Sequence, residues 1–231
     1  MKQLQMFMRQ HPWSWSFLAA FLTWAVTAAY ISGTGGLALA STALSFSTFF
    51  VMVGIGQMFV ITLGPGNVDL SIPSTITLSA VVSMMVMDGT NAMILPGILS
   101  AVVVGVLVGL FNYGLIRVLT IPPIIATMSS SFLVQSSAIA LGRGVKIKPP
   151  AALEWISTAK MIGVPVLSLL VIAFAIVMAI LLNRTVYGRS VTAFGQNTRA
   201  ARLAGVPLER ISYLTYTQST VLEAEIGEIL N

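Results

Sequence analysis

"ITLGPGNVDLSIPSTITLS", residues 61–79, places two glycines, two prolines, an asparagine and an aspartate inside an otherwise apolar region. Glycine relaxes the backbone and proline removes an amide donor, so the stretch predicts a break between two helices. The residues on either side are apolar, and the break therefore decides how this part of the chain is divided into helices.

The composition places the chain in a membrane. Hydrophobic residues make up 56% of it and charged residues 8%, and the mean hydropathy is +0.92. Soluble domains carry about 25% charged residues, so these few charges cannot cover a water-facing surface. The net charge of +5 is explained by basic residues that flank apolar spans, which predicts contact with membrane lipid and no nucleic-acid partner.

Six stretches predict transmembrane helices. A bilayer core takes about 20 apolar residues as helix, and the stretches that approach this length are residues 13–30, 45–63, 72–87, 92–115, 122–141 and 164–182. The expected fold is an all-α, polytopic membrane helix bundle that forms one domain over residues 1–231.

The break at residues 64–73 then lies at or within the membrane. Backbone without helical hydrogen bonds is tolerated there only against protein or a water-filled cavity, and an ionisable residue at such a place indicates a functional site. Asp69 is therefore predicted to lie near a pathway or a structural joint. The alternative is a plain cytoplasmic turn, in which Asp69 caps the helix that starts near Ile72.

The basic residues predict the orientation. With the N-terminus inside, eight of the 12 Lys and Arg residues lie on the cytoplasmic side. They are Lys2, Arg9, Arg117 and the five arginines of residues 183–210. Because cytoplasmic flanks carry an excess of basic residues, both the N-terminus and residues 183–210 are expected in the cytoplasm.

The fourth predicted span carries a small residue at every fourth position: Gly97, Ala101, Gly105 and Gly109. Small residues on one face let a second helix approach closely, so the pattern predicts tight helix packing. The alternative is chance in a glycine-rich apolar run.

The cytoplasmic residues 183–210 contain a predicted short helix, "NTRAARLAG". Asn197 is a suitable N-cap, Gly205 a terminator, and Pro207 follows directly. A short basic helix held between spans is suited to dock a soluble partner. The alternatives are a solvated loop and a contact with anionic lipid.

The sequence contains no G-x-S-x-G, no P-loop and no spacing typical of metal ligands. The chain is therefore not predicted to be an enzyme, and no cofactor or metal is expected. If ATP is used, its site is expected on another chain.

Three motifs resemble the membrane permease subunits of ribose-type ABC importers, which take up sugars through a periplasmic binding protein. "GNVDLSIP" is similar to Gly-Gly-Ile-Asp-Leu-Ser-Val-Gly, and "IPPIIATMSSSFLVQSSA" to a segment that begins Pro-Pro-Phe-Ile-Ala-Thr-Leu-Gly. "RTVYGRSVTAFGQNTRAARLAGV" is the most specific of the three. It also resembles the E-A-A-x-x-x-G coupling loop of importer permeases, with Arg199 in place of Glu.

The resemblance implies a permease half in the bacterial inner (plasma) membrane that pairs with a second permease subunit. It implies that a monosaccharide-like solute arrives from a periplasmic sugar-binding protein. ATPase subunits would bind the coupling loop through Gly195, Asn197, Ala200, Ala201 and Gly205. The translocation pathway or its joint would be formed by Gly66, Asn67, Asp69, Ser71 and Thr127. Asn67 and Pro73 replace family glycines, so the backbone at the joint is expected to differ.

Other functions stay open at this point. An ion-coupled secondary transporter would use buried carboxylates, for which only Asp69 offers itself. An intramembrane enzyme would need clustered polar residues at membrane depth, and none is evident. A non-transporting, truncated fragment is a further alternative, because the family has more spans than these six.

Residues 211–231 are predicted to form an amphipathic helix at the cytoplasmic interface rather than a seventh span. An acidic residue at a helix centre costs about 2.5–3.5 kcal/mol on the insertion scale, and this tail carries Glu223, Glu225 and Glu228. The glutamates are expected to face away from its apolar side.

Overall fold

Ten helices follow one another in the computed structural model, which describes residues 12, 14–30, 36–144, 148–161 and 163–230. They are α1 (Ser14–Tyr30), α2 (Gly36–Thr62), α3 (Ile72–Met87), α4 (Ile94–Arg117), α5 (Pro123–Gly142), α6 (Ala151–Thr158), α7 (Val166–Arg184), α8 (Val186–Gln196), α9 (Thr198–Leu203) and α10 (Leu208–Leu230). A 3₁₀ turn, Asn91–Met93, precedes α4. Two short antiparallel strands, Lys160–Met161 and Val164–Pro165, precede α7.

Prolines mark the starts of four of these helices. Pro73 lies in the first turn of α3, and α5 begins at Pro123. Pro150 and Pro165 directly precede α6 and α7. Proline suits these places because the first amides of a helix have no partner within it.

The predicted helix bundle is confirmed. Among the described residues four helices are long and apolar enough to cross a membrane, and α3 is a shorter apolar helix. The four correspond to the predicted spans at 45–63, 92–115, 122–141 and 164–182. The first predicted span corresponds to α1, although its first residue, Trp13, lies outside the described residues.

The second predicted span is longer than the sequence indicated, because α2 begins at Gly36 rather than at residue 45. The hydroxyl residues in the added part made it look polar. In the structure Thr42, one of these residues, bonds back to the helix itself, since its Oγ1 donates to Ala38 O at 3.0 Å. Hydroxyls satisfied in this way no longer oppose burial in an apolar setting.

Helix α10 packs against α4, α3 and α2. It runs antiparallel to α4: Glu209 lies beside Arg117 at one end, and Ala224 lies beside Gly105 near the middle of α4. A Cβ atom on Gly105 would lie 2.7 Å from Thr220 O, and one on Gly109 would lie 2.8 Å from Thr217 Cα. The close approach predicted for the small-residue face is therefore confirmed, with α10 as the partner helix.

The expectation that the glutamates of the tail face away from the bundle is wrong for Glu223, which is fully buried. The insertion cost assumed that lipid would surround the carboxyl group. Protein surrounds it instead: Ser219 donates a hydrogen bond to it, and Gly56 of α2 lies directly against it. The side chain of Glu228 lies outside the described residues.

Two apolar clusters hold the helices in place. One joins α2, α3, α7 and α10 through buried residues such as Phe59, Ile76, Val171 and Leu222. The other packs the end of α2 against α8, α9 and the start of α10. This second cluster fixes the short helices α8 and α9 directly beneath the break in residues 64–71.

Candidate functional site

The break between α2 and α3 is a tight, left-handed turn. Gly64 and Gly66 have φ angles of 112° and 85°, which side chains with a Cβ atom rarely adopt. Asn67 closes the turn, since its backbone amide donates to Gly64 O at 3.2 Å and its side-chain amide donates to the same oxygen at 3.2 Å. The two glycines are thus required by the backbone geometry of the turn.

Asp69 lies inside the bundle and is only 2% exposed. Its Oδ1 atom accepts hydrogen bonds from the Ser71 amide at 2.8 Å and the Ser71 hydroxyl at 2.6 Å. The alternative of a solvated turn in which Asp69 caps α3 is wrong, because Asp69 is buried and Ser71 is the N-cap residue of α3, without a side-chain capping bond. Its Oδ2 atom is buried and has no hydrogen-bond partner.

A chain of hydrogen bonds connects this turn to α4 and α5. Asn112 Nδ2 donates to Ser71 Oγ at 2.8 Å, and Ser130 Oγ donates to Asn112 Oδ1. Thr127 Oγ1 accepts from the Leu70 amide at 3.0 Å. Ser71, Asn112, Thr127 and Ser130 are all fully buried. Polar groups in an apolar interior are stable only when they are hydrogen-bonded in this way. The network therefore ties α3, α4 and α5 to the turn.

Sequence reasoning named Asp69, Ser71 and Thr127 but missed Asn112 and Ser130. A signal for Asn112 was present, because it is a single amide in the apolar α4. Ser130 belongs to the hydroxyl-rich run of α5. What the sequence could not show is that Asn112 bonds to Ser71 and that Ser130 in turn bonds to Asn112.

Helix α10 adds a second set of polar side chains to the same region. Tyr216 is fully buried, and its hydroxyl donates to Asn67 Oδ1 at 3.0 Å. Further along the same helix, Ser219 Oγ donates to Glu223 Oε1 at 2.7 Å. The other carboxyl oxygen, Glu223 Oε2, is buried and has no hydrogen-bond partner.

The predicted coupling helix is present as α9. The Asn197 side chain accepts from the Ala200 amide at 3.0 Å and caps the helix, and Gly205 follows the helix with a φ angle of 81°. Ala201 is buried against the cluster that joins α2, α8 and α10. Asn197, Ala200 and Gly205 are exposed.

Gly195 connects the two predicted sets of residues. A Cβ atom at this position would lie 2.0 Å from Thr62 O and 2.9 Å from the Gly64 amide nitrogen. Only glycine allows the backbone of α8 to come this close to the end of α2. A cavity of about 510 Å³ opens beside this contact and is lined by Gly66, Asn67 and Gln196, among others.

The chemistry that these residues offer is hydrogen bonding in a buried setting together with a rigid backbone contact. No group of three or more His, Cys, Asp or Glu residues comes together in the part of the chain that the structure describes. Two carboxyl oxygens of this region, Asp69 Oδ2 and Glu223 Oε2, accept no hydrogen bond.

Residues 39–224 match the family model described as a branched-chain amino acid transport system / permease component. This match covers most of the chain, and the chain therefore belongs to that family of transport permeases. No solved structure matches the chain.

Curated relatives bear names of import permeases. The autoinducer 2 import system permease protein LsrD of Photorhabdus laumondii is 27% identical over 227 residues, covering 94% of this chain and 68% of the relative. The fructose import permease protein FruF of Bifidobacterium longum is 28% identical over 85% of this chain and 56% of the relative. The L-arabinose transport system permease protein AraH of Escherichia coli is 32% identical over 78% of this chain and 54% of the relative. The chain thus spans between about half and two thirds of the length of these relatives.

Proposed function

We propose that this chain is a membrane permease subunit of an ATP-binding cassette importer for a monosaccharide-like solute. The observation that carries the proposal is the backbone contact between Gly195 and Gly64 in a chain of the permease family. It joins the predicted ATPase-coupling residues to the predicted pathway joint. Two curated relatives named for sugars, AraH and FruF, support the solute class.

Coupling follows from this contact. An ATPase subunit that moves α8 and α9 would push Gly195 against Thr62 and Gly64, because no side chain cushions the two backbones. The turn would then shift Leu70, which is bonded to α5, and Ser71, which is bonded to α3 and α4. Interiors packed this tightly have discrete arrangements, so a small displacement at the turn changes helix positions rather than being absorbed.

The charge distribution supports a cytoplasmic position for α8 and α9. Arg117 and Arg184 end α4 and α7 on the side where α8, α9 and α10 begin. Further arginines lie within that end: Arg189, Arg199, Arg202 and Arg210. Arg143, Lys148 and Lys160 lie at the opposite end, and Lys2, Arg9 and Lys146 lie outside the described residues. The bias favours a cytoplasmic coupling end and a cytoplasmic N-terminus.

The remaining partners follow from the same proposal: ATPase subunits, a second permease subunit and a periplasmic sugar-binding protein. The family description names branched-chain amino acids, which makes a branched-chain amino acid the second candidate solute. The relatives AraH and FruF, which are named for sugars, favour the sugar over the amino acid.

Uptake measurements test the proposal. The chain is expressed with the ATPase and binding-protein subunits of its source organism in cells that lack their own arabinose, ribose and leucine importers. A chimera in which residues 39–224 replace the matched part of AraH is assayed in parallel. Uptake of labelled pentose or hexose is expected, and it should be abolished when the ATPase cannot hydrolyse ATP.

Three outcomes would contradict the proposal. Uptake driven by a sodium or proton gradient without the ATPase would support an ion-coupled secondary transporter. Uptake of leucine but of no sugar would favour the second solute. An ATPase that fails to associate with the wild-type chain or with the chimera would remove the importer assignment itself.

A further inference from the structure

The outer face of α9 is shaped as a projecting tip. Ala201 is 4% exposed and holds the helix against the bundle, whereas Leu203 is 91% exposed. Arg199 lies one turn before Leu203, and helical spacing therefore places both on the side opposite Ala201. Arg202 is also exposed. We refer to Arg199, Arg202 and Leu203 as the tip of the coupling helix.

The positive charge of this tip is not balanced within the described residues. Helices α8 and α9 contain no acidic residue. The ion pair that the described residues form joins Arg117 to Glu209 at 3.4 Å, and the same Glu209 carboxylate accepts from the Tyr113 hydroxyl. Arg199 and Arg202 therefore carry guanidinium groups available to a partner.

Between the side chains of the tip lies a concavity into which a side chain of a partner can fit. Thr198, Arg199, Arg202 and Leu203 line a shallow concavity of about 360 Å³. Guanidinium groups bind carboxylates through paired hydrogen bonds, and the combination of an apolar centre with arginines is typical of protein interfaces. A helix that lies on a membrane presents a broad apolar face instead, and the six residues of α9 offer a single large apolar side chain.

We propose that the tip of the coupling helix inserts into an acidic socket on the ATPase subunit, an apolar pocket for Leu203 with Asp or Glu side chains at its rim. This inference rests on the proposed function and adds the chemistry of the partner. Arg199 stands where the importer coupling-loop pattern has Glu. An ATPase surface that is complementary to that Glu would be positively charged and would repel Arg199. The charge of the tip therefore selects which ATPase subunit this chain accepts.

Binding measurements with charge-reversed variants test the socket. The full chain is placed in phosphatidylcholine nanodiscs, and the purified ATPase subunit of the source organism is titrated against it. The double variant R199E/R202E is expected to bind at least about tenfold more weakly, and the wild-type affinity is expected to fall as salt is raised. L203S should also weaken binding, with little change in the salt dependence.

The matched control is R184E, which makes the same charge change as the single variant R199E but at the exposed end of α7. Its affinity is expected to stay within about twofold of wild type, because an exposed charge away from the interface contributes little. Equal losses in R184E and R199E would show a general charge effect and would overturn the acidic socket.

A photo-cross-linker in place of Leu203 identifies the surface that it contacts. The expected product joins residue 203 to an ATPase peptide that contains Asp or Glu, and Lys at that acid should restore binding to R199E. A cross-linked peptide without an acidic residue overturns the proposal. Cross-linking to phosphatidylglycerol in anionic nanodiscs in the presence of the ATPase also overturns it, in favour of a lipid contact.

The importer assignment and the acidic socket can be excluded separately. If the wild-type chain does not bind the ATPase at all, the proposed function fails. If the wild-type chain binds and R199E/R202E binds equally well, the importer assignment stands and the acidic socket alone is excluded.

Discussion

Gly195 of α8 and Gly64 of the turn after α2 lie in direct backbone contact. A Cβ atom on Gly64 would lie 3.1 Å from Gly195 O, and one on Gly195 would lie 2.0 Å from Thr62 O. Helix α8 and the turn that carries Asp69 are therefore joined without an intervening side chain. This contact connects the residues proposed for ATPase coupling to the polar network of α3, α4 and α5.

The first prediction concerns this contact. Gly195→Ala is expected to force α8 away from α2 and to lower the free energy of unfolding by about 1–3 kcal/mol, as overpacking does. In a transport-competent assembly sugar uptake should fall strongly, while ATPase binding through the exposed tip of α9 should persist. Uptake and pull-down of the ATPase are measured on the same preparations.

Gly54→Ala is the matched control for that experiment. Gly54 lies within α2, and a Cβ atom there would meet nothing within 4 Å. The change should be neutral or slightly stabilising, because alanine favours helix by up to about 1 kcal/mol over glycine. Normal uptake in Gly195→Ala would show that the contact does not transmit movement.

The second prediction concerns Asp69. Asp69→Asn retains an oxygen that can accept from Ser71, whereas Asp69→Leu leaves the Ser71 amide and hydroxyl without their acceptor. Each unpaired buried donor costs about 1–3 kcal/mol, so the leucine variant should lose both thermal stability and transport. The asparagine variant should fold normally. Full transport by Asp69→Leu would reduce Asp69 to an ordinary turn residue.

The third prediction concerns Glu223. Glu223→Gln keeps an acceptor for the Ser219 hydroxyl and removes an ionisable group from a fully buried site. Burying a charge without a partner is costly, so the apparent melting temperature should remain the same or rise. The control is Glu154→Gln on the exposed side of α6. A melting temperature several degrees lower for Glu223→Gln alone would show that the carboxylate itself is needed.

The fourth prediction tests the position of α10 in a chain without natural cysteine. The rings of Tyr113 on α4 and Tyr213 on α10 lie 5.6 Å apart, so the pair Y113C/Y213C should be cross-linked by a short bifunctional thiol reagent. The control pair Y113C/L203C places the second cysteine on the exposed tip of α9 and should not cross-link. Absence of a cross-link in Y113C/Y213C would return α10 to the surface position expected from its glutamates.

The fifth prediction concerns orientation. A single cysteine at Ser190, on α8, should be protected from an impermeant thiol reagent in intact cells, and one at Ser157, on α6, should react. This follows from the cytoplasmic position proposed for the arginine-rich end. Labelling at 190 but not at 157 would reverse the topology.

Local features were predicted well. The start of α3 at Ile72 and its end at Met87 coincide with the predicted span. The N-cap Asn197 and the terminator Gly205 of α9 are where the sequence indicated. Proline, glycine and capping residues act on the backbone within a few residues of themselves, and such effects can be worked out from a sequence.

The place of α10 was decided by the tertiary structure. The sequence showed three glutamates in an amphipathic segment and, separately, a face of small residues on α4. It did not show that the two belong together, with Gly105 and Gly109 admitting the backbone of α10 to the centre of the bundle. Whether a carboxyl group such as that of Glu223 meets lipid, water or protein depends on neighbours far away in the chain.

The sequence by itself determined that this protein is a membrane helix bundle with a broken joint and a short basic helix, since composition and local backbone preferences suffice for these. Only the tertiary structure linked Ser130 through Asn112 to Ser71 and set Gly195 against Gly64. Those contacts join residues brought together by packing, and packing depends on the shapes of all the helices at once.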